Sequence, residues 1–348
     1  MYDRDTAMPP LPNIQLVRAG KIWRVDPQIV PRLMELEPMV RHAVHHRICQ
    51  NVYQQTKGRP PEPTDRAFIE KGVVTLPNRI PAALAAKLSA FGTEILRATG
   101  QERGLPGDGP IEFRTDDANT TIAVPPAMHS VFLDLLPSIL DPGVEALIEA
   151  YLSSFFRIDH CALYRTQRTE DPLVSFRWHR DLASMGQVHI MLYLTPSGDE
   201  GGATDFIPIE GTRRIAEAGY SFVNMDDRVL DLDAETLGGS ELPEIVRPRL
   251  APGDAVMFGA TRVLHRGVQP RRGFRDVFLM VLLPSTVPWQ VELEELGREH
   301  LLIAGDKEAY MSNPFMAFNP THRDYVGGFN SGTITPPRWS ALGHFWPP

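Results

Sequence analysis

The chain has 348 residues, enough to bury a full core as one large domain with additions or as two modest ones. Its 43 acidic and 35 basic side chains leave a net charge of −8, which argues against a generic binder of nucleic acid or anionic membrane, because such surfaces need a basic footprint. Two cysteines, Cys49 and Cys161, are too few for a disulfide framework and stand in no zinc spacing. With no apolar leader after Met1 and no long apolar span, a cytoplasmic protein without nucleic-acid or membrane partners is expected.

From Pro27 to Gln55 the residues Ile29, Leu33, Met39, Val40, Ala43, Val44, Ile48 and Val52 recur at three- and four-residue intervals, which predicts two short amphipathic helices. His45 and His46 fall here. Adjacent helical positions point about 100° apart, so the two imidazoles cannot share an ion, and packing is their expected role. A linker over 57–63 closes an N-terminal helical extension, residues 1–65, and residues 66–348 are expected to form one domain. Val73–Leu76 is a predicted strand. Pro81 opens a helix over 82–98 that Gly100 stops, and Asp141-Pro142 opens another carrying Leu147, Ile148, Tyr151 and Leu152 toward a core. From Phe156 to Pro284 the period changes to short β-rich runs between Gly, Pro and Asp turns, the pattern of an antiparallel barrel or sandwich. Trp289 to Ile303 returns to helical spacing.

The chemistry concentrates in that β-rich stretch. In His179-Arg180-Asp181 the first and third side chains project from one face of an extended strand, so both can reach one point. His265 lies far enough along the chain to return beside them. Two imidazoles and a carboxylate on one face of an octahedral ion leave other positions open, as in non-haem Fe(II) oxygenases, although spacing alone also admits Zn(II), Mn(II) or Ni(II). Alone, a His-x-Asp among 11 histidines is weak, and solvated strand residues are the ordinary alternative.

The surroundings strengthen it. Trp178-His179-Arg180-Asp181, the run Gln187-Val188-His189-Ile190-Met191-Leu192-Tyr193-Leu194, Gly201-Gly202-Ala203-Thr204-Asp205-Phe206-Ile207-Pro208, Pro252-Gly253-Asp254 feeding an apolar strand, Val263-Leu264-His265-Arg266-Gly267 and the strand opened by Phe274-Arg275-Asp276 follow in order. Together these segments resemble the Fe(II)/2-oxoglutarate-dependent dioxygenases, most closely the phytanoyl-CoA dioxygenase-like branch. The resemblance covers roughly 66–283, with its sharp motifs in 178–208 and 252–283. It implies a double-stranded β-helix, a cupin-like jelly roll over about 156–284, with helices before and after.

It also implies an iron-dependent hydroxylase acting on an unactivated C–H bond of a small molecule, with Fe(II), 2-oxoglutarate as cosubstrate and O2, releasing succinate and CO2. His179, Asp181 and His265 would be the metal ligands and catalytic centre. Arg275, ten residues past His265, matches the arginine that meets the far carboxylate of 2-oxoglutarate, and a guanidinium suits that bidentate task. Arg271 and Arg272 are rivals in a turn where solvated charge is the plainer reading. Tyr164, Thr166 and Gln167 are further candidates for the cosubstrate, against a cross-strand structural role. His160 and His189 are expected to be packed or hydrogen-bonded. The pair Gly201-Gly202 reads as a tight turn that lets Thr204 and Phe206 enter the barrel wall.

Desaturation or cyclisation by the same iron chemistry is an alternative outcome, a non-catalytic jelly-roll binding protein is an alternative of another class, and a cupin-type isomerase or hydrolase with another metal is a third. Arg165, Arg168, Arg177, Arg180, Arg213, Arg214, Arg262 and Arg266 flank the proposed mouth, which raises the expectation of an anionic substrate.

Overall fold

The computed structural model describes residues 16–19, 22–25, 28, 38–62, 66–99, 119–168, 174–181, 186–218, 220, 222, 228–233, 237 and 241–302. The expected stretch 27–37, Gly100 and everything after Leu302 therefore fall outside it, apart from Gln28.

The N-terminal stretch is not wholly helical. Strands β1 (Leu16–Ala19) and β2 (Ile22–Val25) pair antiparallel, because two β-prone runs are separated by a two-residue connection that includes Gly20. A single helix, α1 (Pro38–Lys57), covers the described part of the expected helical stretch, since no Gly or Pro interrupts it after its first residue. It docks through His46 Nε2, 2.8 Å from the Leu152 carbonyl, and through Tyr53, whose hydroxyl donates to Glu149 at 2.7 Å.

Next come α2 (Ala67–Lys71), β3 (Val73–Leu76), α3 (Ala82–Ala98), β4 (Asn119–Ile122), α4 (His129–Leu133), α5 (Leu136–Ile139) and α6 (Pro142–Leu152). Asp141 caps α6 as its position predicts: its carboxylate accepts from the amides of Gly143 and Val144, both at 2.9 Å, an arrangement worth about 1 kcal/mol. The β-rich half contains β5 (Phe155–Thr166), β6 (Val188–Tyr193), β7 (Ala203–Ile207), α7 (Ile209–Glu217), β8 (Ala255–Gly259), β9 (Leu264–Val268) and β10 (Arg275–Ser285), and α8 (Trp289–Leu296) follows.

All the named strand pairs are antiparallel, and they form a six-stranded sheet in the order β3-β8-β6-β10-β5-β4 and a smaller sheet β7-β9. The two sheets face each other: Phe206 of β7 meets Phe258 of β8 with ring centroids 4.9 Å apart, and the hydroxyls of Tyr193 and Thr204 lie 3.2 Å apart. This mostly antiparallel core with flanking helices is the expected class. Gly202 opens β7 at φ +79°, where a Cβ would press on the Val268 carbonyl, so the tight turn requires glycine.

Strand parity then divides the large sheet. On its outer face Leu163, Ile190, Leu192, Met257, Phe278, Met280 and Leu282 pack against the helices with Phe68, Leu88, Ile95, Phe132 and Ile148. Each such burial contributes about 1.5–3 kcal/mol. The inner face carries Arg275, Val277, Leu279, Val281 and Leu283 of β10, flanked by Tyr164 of β5 and by Met191 and Tyr193 of β6. A bulge shifts the register between Val281, opposite His160, and Leu282, opposite Ile158, so parity along β5 changes there.

Candidate metal centre

His179 and Asp181 stand on a short extended segment that completes the smaller sheet. Trp178 bridges Val229, and His179 pairs with His265 through two backbone hydrogen bonds of 2.9 Å, one in each direction. Alternation sends Trp178 into an apolar cluster with Ile207, Phe222 and Leu264, and turns His179 and Asp181 to the opposite side. The backbone of Asp181 is fixed by donation to the Ala260 carbonyl at 3.0 Å.

The three expected ligands converge. His179 Nε2 and His265 Nε2 lie 3.7 and 4.0 Å from Asp181 Oδ1, and one donor atom from each residue lies within 4.8 Å of the others. Each imidazole uses Nδ1 on a backbone carbonyl: His179 on Arg177 at 2.7 Å and His265 on Val263 at 2.9 Å. That fixes the rings and leaves both Nε2 lone pairs aimed at the same point, which is how second-shell contacts prepare histidine ligands. Burial holds both imidazoles below the ordinary histidine range. Burial pushes the Asp181 carboxyl up, yet the fields of His189, His265, His179 and Arg228 outweigh it and leave the group below its usual range. Neutral imidazoles beside an ionised carboxylate are the protonation states a divalent ion requires, so the residues present fit the metal.

Arg275 is the first residue of β10, opposite Thr166 in register, and is 4% exposed. Its Nη1 donates to the Ala203 carbonyl and its Nη2 to Thr166 Oγ1 at 3.1 Å, while Nε has no partner among the described residues. Burial lowers the pKa of this guanidinium, an effect that Tyr193 opposes. Thr166 thus stands beside Arg275. Tyr164, two positions earlier, packs on Leu279, Val281 and Leu283, and Gln167 follows the end of β5. Arg272 is exposed and paired with Glu200 at 3.2 Å, which leaves the turn with the solvated charge expected there.

Three residues of the site carry no motif. Gln187 Nε2 lies 3.4 Å from Asp181 Oδ2 and 2.5 Å from His189 Nε2, and His189 Nε2 lies 3.5 Å from the same oxygen. Tyr193 stands beside Arg275. Period-2 counting along Gln187-Val188-His189-Ile190-Met191-Leu192-Tyr193 places Gln187, His189, Met191 and Tyr193 on one face, and this was the signal available.

The basic rim is not assembled as expected. Arg165 is fully buried on the outer face against Asp276, and Arg180 is buried with Nη1 donating to the Thr261 carbonyl at 3.2 Å. Arg213 is paired with Glu210 and Glu217 on the surface, Arg262 lies over Tyr151, and Arg266 is engaged by Asp205 and Asp231. Arg165, Arg213, Arg262 and Arg266 thus have counter-ions or rings of their own. Near the triad there remain Arg228, whose charge acts on Asp181, and Arg177, which donates to the Arg228 carbonyl at 3.5 Å. Among the described residues, no helix is long and apolar enough to cross a membrane.

No family model and no curated protein matches the sequence. Among solved structures the chain is similar to the non-heme alpha ketoglutarate dependent carbocyclase SnoK from nogalamycin biosynthesis, at 15% identity over 63% of this chain and 82% of that one, with a TM-score of 0.42. It is similar to EctD from S. alaskensis with bound Fe, at 15% identity over 65% and 83% of the chains and a TM-score of 0.41. HygX from Streptomyces hygroscopicus with nickel and 2-oxoglutarate bound gives 14% identity over 64% and 86%, with a TM-score of 0.38.

Proposed function

We propose that this protein is an Fe(II)- and 2-oxoglutarate-dependent oxygenase that hydroxylates a C–H bond of a small molecule. The observation that carries the reading is the convergence of ligand atoms of His179, Asp181 and His265 to within 4.8 Å of one another, with Arg275 buried at the start of β10. Fe(II) is the ion favoured by two imidazoles and one carboxylate with the remaining positions open. When bound, the iron supplies the oxygen chemistry that converts 2-oxoglutarate to succinate and CO2 as the substrate is oxidised.

The protein's part is to hold and exclude. The paired Nδ1 contacts fix the two imidazoles, and the ionised Asp181 balances part of the metal charge. Arg275, oriented by Thr166 and Tyr193, would bind the far carboxylate of the cosubstrate as its counter-ion. Leu279, Val281 and Leu283, with Tyr164 and Met191, offer an apolar floor that keeps water from the reacting carbon.

The purified chain should bind about one Fe(II), and the anaerobic complex with 2-oxoglutarate should show a weak visible charge-transfer band. His179→Ala or Asp181→Ala should remove both metal and band while the fold persists. Full Fe(II) binding after either change would remove the assignment.

A further inference from the structure

The Asp181 carboxylate has two oxygens, and the histidine ligands face only one of them. Oδ1 lies toward His179 and His265, whereas Oδ2 lies toward Gln187 and His189. Gln187 is 3% exposed, and its amide nitrogen is shared between Asp181 Oδ2 at 3.4 Å and His189 Nε2 at 2.5 Å. Its own Oε1 is buried and has no partner among the described residues. An orphaned buried acceptor costs about 1–3 kcal/mol. Turning the amide over would give Oε1 a donor in a His189 Nε2–H tautomer, but it would set that oxygen against Asp181 Oδ2 and lose the donation to the carboxylate. The carboxylate therefore dictates the orientation of the amide, and the amide in turn limits how the carboxylate can rotate. Gln187 immediately precedes β6, whose first residue Val188 pairs with Gly259 and Leu282, and its own carbonyl accepts from the Ala260 amide at 3.0 Å, so its backbone is anchored.

We propose that Gln187 is a positioning residue of the metal centre: by holding Asp181 Oδ2, it presents Oδ1 alone to the ion and keeps the carboxylate a single-oxygen ligand. The same amide nitrogen engages His189 Nε2, so this third imidazole stays out of the ligand set despite lying 3.5 Å from the Asp181 carboxylate. This rests on the reading of His179, Asp181 and His265 as the metal ligands. A single-oxygen carboxylate with His189 withheld keeps the remaining coordination positions free, as an oxygenase needs.

The test is a calorimetric Mn(II) titration of the full chain, with thermal unfolding of the metal-free protein measured alongside. Gln187→Met keeps the length of the side chain and deletes the donor, and it should weaken Mn(II) binding about 10–100-fold, the usual cost of losing an outer-shell partner. Gln187→Ser should weaken it to a similar degree and serves if the methionine variant does not fold. Mn(II) affinity within about threefold of the parent in a folded variant overturns the role of Gln187, whether or not the metal-free protein has lost thermal stability. A parent chain that takes up no Mn(II), or takes it up equally after Asp181→Ala, overturns the metal centre itself and is told apart by that control.

Discussion

Two arginines, both buried where β5 pairs with β10, are treated in opposite ways. Arg165, on the outer face, is clasped by Asp276 through two hydrogen bonds of 2.7 and 2.6 Å, donates to Thr93 at 2.9 Å, and stacks on the Phe274 ring at 3.6 Å. Ser89 completes the shell by donating to Asp276 at 2.6 Å. Arg275, one residue before Asp276 on β10, points to the inner face and meets a carbonyl, a threonine hydroxyl and a tyrosine, with no carboxylate among the described residues. A structural arginine brings its counter-ion with it. On the function proposed above, Arg275 would instead take its anion from the cosubstrate.

The largest expected effect breaks the first half of this contrast. Asp276→Ala leaves the Arg165 charge buried and unpaired, and should cost about 3–5 kcal/mol of folding stability in a urea titration. A loss below 1 kcal/mol would mean that water reaches Arg165. Arg275→Met tests the other half. Binding of 2-oxoglutarate should weaken by about 2–5 kcal/mol in an anaerobic titration, since the cosubstrate loses its paired cation. Folding stability should hold or rise, because an uncompensated buried charge has gone. A large destabilisation with unchanged cosubstrate affinity would make Arg275 as structural as Arg165.

Acid supplies an effect of similar size for each ring it charges. Burial depresses His46 and His189 to about 4, so the folded protein releases protons that the unfolded chain still binds below its ordinary value of 6.5. Their contribution is complete above 6.5 and is lost as pH falls toward 4, on the order of 3 kcal/mol for each ring in the metal-free protein. A flat stability curve across that window would show that these rings are solvated. Arg272→Ala, at an exposed pair with Glu200, should change stability by less than about 0.5 kcal/mol and leave cosubstrate binding as it was.

The same two arginines mark how far the sequence could be read. The meeting of His179 and Asp181 was legible because a two-residue step on a strand keeps one face, and the burial of Arg275 because it opens a strand that is apolar beyond Asp276. Arg165 was misplaced on the rim because β5 is buried on both faces. Without alternation of polar and apolar residues, nothing local tells which parity faces in, and the bulge opposite Val281 changes that parity within the strand. Gln187 and His189 escaped for another reason. Period-2 spacing puts them on one face, but their role comes from contact with Asp181, which that spacing does not encode. The helices were easier, since Pro81 and Asp141-Pro142 act through the backbone next to them; Ile209–Glu217 went unread because it interrupts a β-rich stretch.

The mutual backbone pair between His179 and His265 gives the centre a mechanical character. Two ligands that exchange amide and carbonyl bonds cannot separate unless the strands carrying them part. An ion bound between their side chains would therefore act as a clip on the smaller sheet, closing from the side-chain direction a seam that the backbone already closes. Metal occupancy then becomes readable without any turnover. The amide protons of His179 and His265 should exchange with solvent together, and both should slow by the same factor when the clip is in place.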